Sequence, residues 1–453
     1  MNTADSNRTD AYNGERPSTR ELKRILKTPG LVAFGLAYLV PLTVFTTFGV
    51  ASRLTEGHVP TAYVITTMAM LFTALSYAML VRELPSAGSA FEYAKQAFGY
   101  RIGVVTGWTL LLDYMLLPAI NYLVIGIYLH VQFPHIPAPL FVLTAIALVT
   151  IANIVGIGTV RNVSLVLVAA QLAFAVIFVA LAFARTDGVG SLLTIFYVKG
   201  MDWRGVFSGA AVLCLSFLGF DAISTLSEEA RDPRESIPKA ILMTTVIGGF
   251  IFMALSVASS LTLPRWTDIR VSDSAGVEVV APLGSPFLVV LFLSTYIGGA
   301  AASAVASQAS VSRILYAMGR DRVLPEAIFG VLSERFRTPV FSIVFVAALS
   351  CAVLLTTLDT LASIISFGAL FAFSIVNLSV IKIFLVDRRH RGFCATLGYG
   401  VSPAVAFMMT SWLWLSLSTT SLIIGLIWLT AGSLYTLLLQ RRGQTATREC
   451  QRS

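Results

Sequence analysis

The sequence predicts an all-α membrane protein of about twelve transmembrane helices, and three observations carry that reading. Apolar side chains make up 56% of the 453 residues and charged ones only 12%, against about 45–50% and about 25% in ordinary soluble chains. The mean hydropathy is +0.80, so too little polar surface exists to cover the apolar mass in water. The apolar residues also gather into runs long enough to cross a bilayer, joined by short polar connections that are Lys- and Arg-rich on alternate sides. The same composition excludes a soluble enzyme, a disordered regulator and a nucleic-acid module. The formal net charge of +8 therefore has to find its explanation at a membrane surface.

A helix needs about 20 mostly apolar residues to cross the hydrocarbon core. Such stretches fall at 30–53, 60–81, 102–130, 138–157, 163–184, 205–229, 240–263, 286–311, 339–357, 360–386, 396–416 and 420–439, numbered here as spans 1 to 12. Together they form one polytopic domain over 29–440, between a basic N-terminal tail (1–28, disordered over 1–18) and a short C-terminal tail (441–453). The first 28 residues have no short apolar core followed by small residues, so no cleaved signal peptide is expected. With the N-terminus in the cytoplasm, 26 of the 32 Lys and Arg residues lie on the cytoplasmic side. Only Arg53, Arg185, Lys199, Arg204, Arg265 and Arg270 lie on the other. That asymmetry places both termini inside and accounts for the basic charge, since those residues sit beside anionic head groups.

The cytoplasmic stretches 84–100 and 319–336 carry apolar residues at helical spacing and are expected to form short interfacial helices. The longest outer connection, about 264–285, holds Asp268, Asp273 and Glu278 and reads as an ordered, solvated loop. Cys214, Cys351, Cys394 and Cys450 lack CxxC spacing, and His58, His130, His135 and His390 are scattered at segment edges. No metal site, disulfide or cofactor is expected. Nor does any span end carry a Ser-His-Asp, metal or phosphate-binding constellation, so the chain reads as no enzyme.

The chemical signal lies in interrupted spans. Pro41, in LVAFGLAYLVPLTVFTTFGV, lacks an N–H and clashes with the preceding turn, so span 1 should open near Leu39–Thr43. Freed carbonyls there must be answered by protein, ligand or water, because lipid offers nothing. In span 6, Gly219 and Asp221 sit together at mid-depth. Either feature alone is met in a plain kinked helix. Two of them five spans apart suggest two five-helix repeats, each with a discontinuous first helix, which is the pattern of a secondary transporter.

Few charges lie inside the spans. Asp113 is about eleven residues into span 3, roughly 16 Å along the axis, and Asp221 is comparably deep. Glu228 lies nearer the inner surface, where it and Glu229 are expected to pair with Arg231 or Arg313. A carboxylate at membrane depth costs about 2.5–3.5 kcal/mol on insertion scales, and is retained for pairing, proton carriage or lining a pathway. No Lys or Arg occupies the middle third of any span. The site therefore wants a positive guest, and the aromatic residues near the breaks (Tyr38, Phe45, Trp108, Tyr114, Tyr122, Phe217 and Phe220) could enclose an alkylammonium. Tyr38 and Phe220, which adjoin the breaks, are the foremost of these.

At these residues the chain resembles a known family. PSAGSAFEYAKQAFG, SEEARDPRESIPKAI and SRILYAMGRDRVLPEAIF are similar to motifs of the amino acid–polyamine–organocation superfamily. GLAYLVPLTVFTTFG, GHVPTAY, LLDYMLLPAIN and SFLGFDAISTLSEEARD are similar, more narrowly, to bacterial putrescine importers. The resemblance covers about residues 22 to 440. It implies a LeuT-like fold of ten core helices (30–386) in two inverted repeats plus two peripheral helices (396–439), in a bacterial cytoplasmic membrane. It also implies a substrate site of Tyr38, Thr43, Phe45, Asp113, Tyr114, Asn121, Phe217, Gly219, Phe220 and Asp221, and uptake driven by protons.

Two departures from the family pattern bear on substrate and coupling. Amino acid carriers of the superfamily have a glycine-rich break in span 1 whose N–H groups hold a carboxylate, whereas this chain has LVPLT. That favours a diamine, with Asp221 on one ammonium and Asp113 on the other or on a proton. Two carboxylates about 10–12 Å apart would suit putrescine, allowing ~2.8 Å for each charge-assisted hydrogen bond. Some proton-coupled relatives place a lysine in span 5, where this chain has only Gln171. A coupled proton then falls to Asp113 or Glu228, and exchange of one organic cation for another is the other option. An amino acid permease of the same fold is the alternative reading of function. The expected partners are a small cationic substrate, protons and membrane lipid, and no nucleic acid.

Overall fold

A computed structural model describes residues 26–86, 88–156, 160–185, 190–320 and 324–450. Eleven helices among them are long and apolar enough to cross a membrane, and Val340–Leu355 is a shorter apolar one. The spans run Thr28–Leu54, Val59–Glu83, Tyr100–Gln132, Ala138–Val155, Val160–Ala184, Trp203–Leu226, Pro233–Thr262, Pro286–Arg320, Val340–Leu355, Leu358–Asp387, Phe393–Leu415 and Thr419–Cys450. No strand is present among the described residues beyond one isolated bridge. The chain is thus an all-α, multi-pass membrane protein with twelve spans in the expected order. The tail over 1–18 lies outside the described residues.

Local chemistry starts and stops the helices where the sequence allows. Proline sits in the first turn of spans 1, 2, 4 and 7, where its missing N–H is no loss. The Asp202 carboxylate caps span 6 by accepting from the N–H groups of Arg204 and Gly205 at 3.0 and 3.1 Å. Thr357 does the same for span 10 through the N–H of Thr360.

Spans 1, 3 and 6 form the centre of the bundle, with 78%, 83% and 89% of their most apolar stretch buried. Spans 4, 11 and 12 are only 22%, 17% and 22% buried and line the periphery. Span 2 packs along span 7, and span 3 lies between spans 8 and 10. Span 12 is fastened to span 3 by Trp108 and Trp428. Their rings stack at 4.9 Å, and each indole N–H donates to the other's backbone carbonyl at 3.1 and 2.9 Å. Trp108 therefore fastens the periphery and does not face the breaks.

The connection over 84–100 contains the expected short helix, Ser89–Phe98, with Ser89, Ala90, Tyr93 and Ala94 buried against the bundle. In the segment 319–336, span 8 continues to Arg320 and a single turn forms at Glu326–Phe329, with 321–323 outside the described residues. Residues 264–285 differ from the solvated loop that their polar composition suggested. Ala275–Val280 is helical and buries Ala275, Gly276, Val279 and Val280, with Gly276 against Phe45, Tyr128 and Phe292. The Glu278 carboxylate accepts from the N–H groups of Arg270 and Val271 at 2.9 Å each, folding the segment back on itself. Polar residues hold the turn while a small apolar face inserts.

A second difference concerns Glu228 and Glu229. Neither pairs with Arg231 or Arg313 among the described residues. A main-chain bridge ties that segment instead: Leu26 N–H donates to the Glu229 carbonyl, and Arg231 N–H to the Leu26 carbonyl, both at 3.0 Å. The chain entering span 1 is thereby pinned to the chain leaving span 6.

Gly368 lets span 10 approach span 3 closely. A Cβ there would stand 2.7 Å from the Thr109 carbonyl oxygen and 3.3 Å from the Asp113 nitrogen, and backbone atoms cannot rotate away. Gly368→Ala is expected to cost about 1–3 kcal/mol, read as a lower thermal midpoint of the detergent-purified protein. Gly398→Ala, with nothing within 4 Å of its added Cβ, is expected to leave the midpoint unchanged.

Candidate functional site

Span 1 is helical to Leu39, turns at Val40 and resumes through a 3-10 turn, Pro41–Thr43. Val40 sits at φ 53° and ψ 96°, a left-handed conformation that a β-branched residue rarely adopts and that only surrounding packing can hold. The polar groups freed by the turn are answered locally. Thr43 Oγ1 donates to the Leu39 carbonyl at 2.8 Å, and Ser303 Oγ of span 8 donates to the Tyr38 carbonyl at 3.3 Å. The Thr43 N–H turns back to the Val40 carbonyl at 2.8 Å. The Leu42 N–H reaches Gln171 Oε1 of span 5 at 3.4 Å, and Pro41 has none to offer.

Span 6 breaks at the matching depth. Its first half ends in a 3-10 turn at Phe217, Leu218 is extended, Gly219 takes φ 124°, and a short 3-10 segment starts at Ala222. The two breaks touch. A Cβ on Gly219 would stand 2.6 Å from Tyr38 Cδ1, so only glycine supplies both the φ and the clearance.

Asp221 lies directly after that turn, 1% exposed. Its Oδ1 accepts from the Gly219 N–H at 3.2 Å, and its Oδ2 from the Tyr114 hydroxyl at 2.9 Å. Asp113, also 1% exposed, precedes Tyr114 on span 3, and its Oδ1 has no hydrogen-bond partner among the described residues. Tyr114 links the two aspartates: its hydroxyl holds Asp221, and its main chain directly follows Asp113. No described lysine or arginine bridges to either. The pair forms one acidic cluster in the most buried part of the bundle.

Beside this cluster, toward the bundle end away from the N-terminus, lies a narrow cavity. Tyr38, Val40, Thr43, Asn121, Tyr296 and Ser303 are among the residues that line it. Its volume is about 20 Å³, enough for one or two waters. A larger guest requires the spans to part. The Asn121 amide nitrogen donates to the Leu117 carbonyl at 3.0 Å and to Ser303 Oγ at 3.1 Å.

The structure thus brings together Tyr38, Thr43, Asp113, Tyr114, Asn121, Gly219 and Asp221. Three other candidates sit elsewhere. Phe45 packs edge-on against Phe174, Phe178 and Phe292, 4.9–6.3 Å between centroids, in a cluster of spans 1, 5 and 8. Phe217 packs on Phe252 at 5.1 Å, on the span 7 side. Phe220 packs with Tyr77 and Phe373, and Tyr77 with Tyr93, forming an aromatic floor below the acidic cluster. Tyr122 is fully buried and its hydroxyl has no partner among the described residues. Glu228 is exposed in a surface hollow with Ser227, Arg231 and Asp232, well apart from the aspartates.

Sequence reasoning passed over Tyr77, Tyr93, Tyr296 and Ser303, and noted Gln171 only as the polar residue of span 5. Tyrosine and serine are common in these spans, so little local marks the other four. Ser303 alone had a hint, in the small-residue run GGAAASAVASQASVS of span 8.

A discontinuous pair of central helices around buried carboxylates is the architecture of a carrier, and comparison with known proteins agrees. The amino acid permease family model matches residues 30–436. The chain belongs to the amino acid permease family. It is 37% identical over 423 residues to the low-affinity putrescine importer PlaP of Escherichia coli K12, covering 92% of this chain and 93% of that protein. It is 25% identical to the branched-chain amino acid permease BcaP of Bacillus subtilis, over 93% of this chain and 94% of that one. It is 28% identical to the chloroplastic cationic amino acid transporter 7 of Arabidopsis thaliana, over 92% and 72%. The chain is therefore a membrane permease and not an enzyme.

In this permease the contact between the breaks is open to test. Gly219→Ala is expected to destabilise by about 1–3 kcal/mol through φ alone, with a further loss from the clash on Tyr38. Adding Tyr38→Ala should recover the clash but not the strain. Thermal midpoints of the two single variants and the double variant measure that coupling.

Proposed function

We propose that this permease imports putrescine or a closely related polyamine across a bacterial cytoplasmic membrane, driven by the proton gradient, with both termini in the cytoplasm. The hydrogen-bonding of the span 1 break carries the substrate reading. A carboxylate ligand needs unused N–H groups at such a break. Here Pro41 has none, the Leu42 N–H is taken by Gln171, and the Thr43 N–H by the Val40 carbonyl. An ammonium finds the opposite: two buried carboxylates with no internal cation, and the negative ends of the first halves of spans 1 and 6. The likeness to a putrescine importer over nearly the whole chain supports the same reading.

Asp221, held by Tyr114 and the Gly219 N–H, is preorganised to receive one ammonium. Asp113, with an unanswered Oδ1, is the group we assign to the coupled proton. Such an arrangement lets both carboxylates be neutralised before the bundle closes around them. Glu228, in the exposed hollow where span 6 ends, is the second candidate for the coupled proton. The 26-to-6 division of basic residues supports the orientation.

Likeness to two amino acid carriers keeps an amino acid substrate as the second reading. Proteoliposomes separate the two. Unlabelled putrescine is expected to compete with labelled putrescine, and neutral amino acids in excess are not; the reverse result would favour the second reading. Asp221→Asn removes one partner of a buried ion pair, worth about 3 kcal/mol or more. Uptake should fall about 100-fold with normal insertion. Asp113→Asn is expected to retain putrescine counterflow while losing its stimulation by an imposed pH gradient.

A further inference from the structure

Resting on the polyamine reading, we infer that the narrow cavity is a distal subsite for the second ammonium of a diamine, built from neutral oxygens of Asn121, Ser303 and Tyr296. Asp221 is tied through Tyr114 to the turn of span 3 that carries Asp113, and neither carboxylate lines the cavity; with Asp113 assigned to the proton, Asp221 holds one ammonium only. The near ammonium sits on the cluster and the far one has to go elsewhere. A cavity opens beside Tyr38 and runs along span 3, between the span 1 break and span 8.

Its length fits. Asn121 is seven residues beyond Tyr114, whose hydroxyl holds Asp221, about 10.5 Å along span 3 at 1.5 Å per residue. Extended putrescine measures about 6 Å between nitrogens, and a hydrogen bond of ~2.8 Å at each end brings the total to about 12 Å.

Its chemistry fits as well. Asn121 spends its amide nitrogen on Leu117 and Ser303, so its oxygen remains the acceptor. Tyr296 is 1% exposed, lines the cavity, and has a hydroxyl with no hydrogen-bond partner among the described residues. Ser303 Oγ couples Asn121 to the Tyr38 carbonyl, where the first half of span 1 presents the negative end of its dipole. Oxygens of this kind can solvate a cation without a full charge, as ring carbonyls do in cation pores. A neutral distal subsite would distinguish a diamine from a monoamine, which leaves the subsite's oxygens without a donor.

Calorimetric titration of the detergent-purified protein with putrescine and with 1-aminobutane tests the assignment. The wild-type protein is expected to bind putrescine at least about tenfold more tightly than 1-aminobutane, a difference near 1.4 kcal/mol. Asn121→Leu, and separately Ser303→Ala, should weaken putrescine about tenfold and 1-aminobutane less than threefold. Asn121→Asp should raise the preference for putrescine. Equal weakening of both amines would mean a packing role, and an unchanged preference would put the far ammonium elsewhere; either overturns the inference. Thermal midpoints of the variants identify any that merely misfold, and the Ser303→Ala and Tyr296→Phe pair then decides. Failure of the wild-type protein to bind either amine would instead overturn the polyamine reading and the subsite with it.

Discussion

Inside a bilayer every backbone N–H and C=O must be answered by protein, since lipid cannot do it. This permease breaks two of its three most central helices at that depth, and the rest of the site follows from how the breaks are answered. Each buried group left over would cost about 1–3 kcal/mol. Ser303, Thr43 and Gln171 meet the groups freed in span 1, and Asp221 meets its own span's Gly219. The partners come from spans 1, 5, 6 and 8, so satisfying the breaks also fixes how those spans sit against one another.

The acidic cluster is the energetic counterpart of that arrangement. Two carboxylates, each 1% exposed, are expensive to bury, and replacing buried charges with apolar residues often stabilises a fold. Their presence is intelligible when a cation completes them. Pro41 and Gln171 remove the N–H groups that would have made the break attractive to an anion. The negative ends of the two half-helices remain. The N–H groups of Leu42 and Thr43 are consumed and Asp113 Oδ1 is left over as an acceptor, so the half-helix ends and the aspartates favour the same sign of guest.

Packing makes the arrangement able to move. Gly368 brings span 10 onto span 3 beside Asp113, and Gly298 and Gly299 bring span 8 onto Leu167 and Gln171 of span 5. Contacts between small residues and backbone are bistable rather than compressible. Below the aspartates, the rings of Tyr77, Tyr93, Phe220 and Phe373 close the bundle, and Ser224 Oγ donates to Ser89 Oγ at 2.9 Å. On the other side, Ala275–Val280 inserts above Phe45. These two sets of contacts lie on either side of the buried aspartates.

The sequence by itself determined the span count, the two breaks and the depth of Asp113 and Asp221. Those properties depend on composition, on the missing N–H of Pro41, on the freedom of Gly219 and on position along a helix, all of them local. It also marked Tyr38, Thr43 and Tyr114, which lie within a few residues of a break or an aspartate, whereas Asn121 came from the family resemblance alone. Which way a side chain faces was decided by tertiary structure alone. A span apolar on all sides has no periodic pattern to show which face looks inward. Phe45 and Phe217, next to the breaks in sequence, therefore turn into neighbouring helices, while Tyr77, Gln171 and Tyr296 from distant spans turn toward the site. The 264–285 connection shows the same limit from the polar side: its charged residues were legible, but the small apolar face that it buries gained meaning only from the groove between Phe45 and Tyr128.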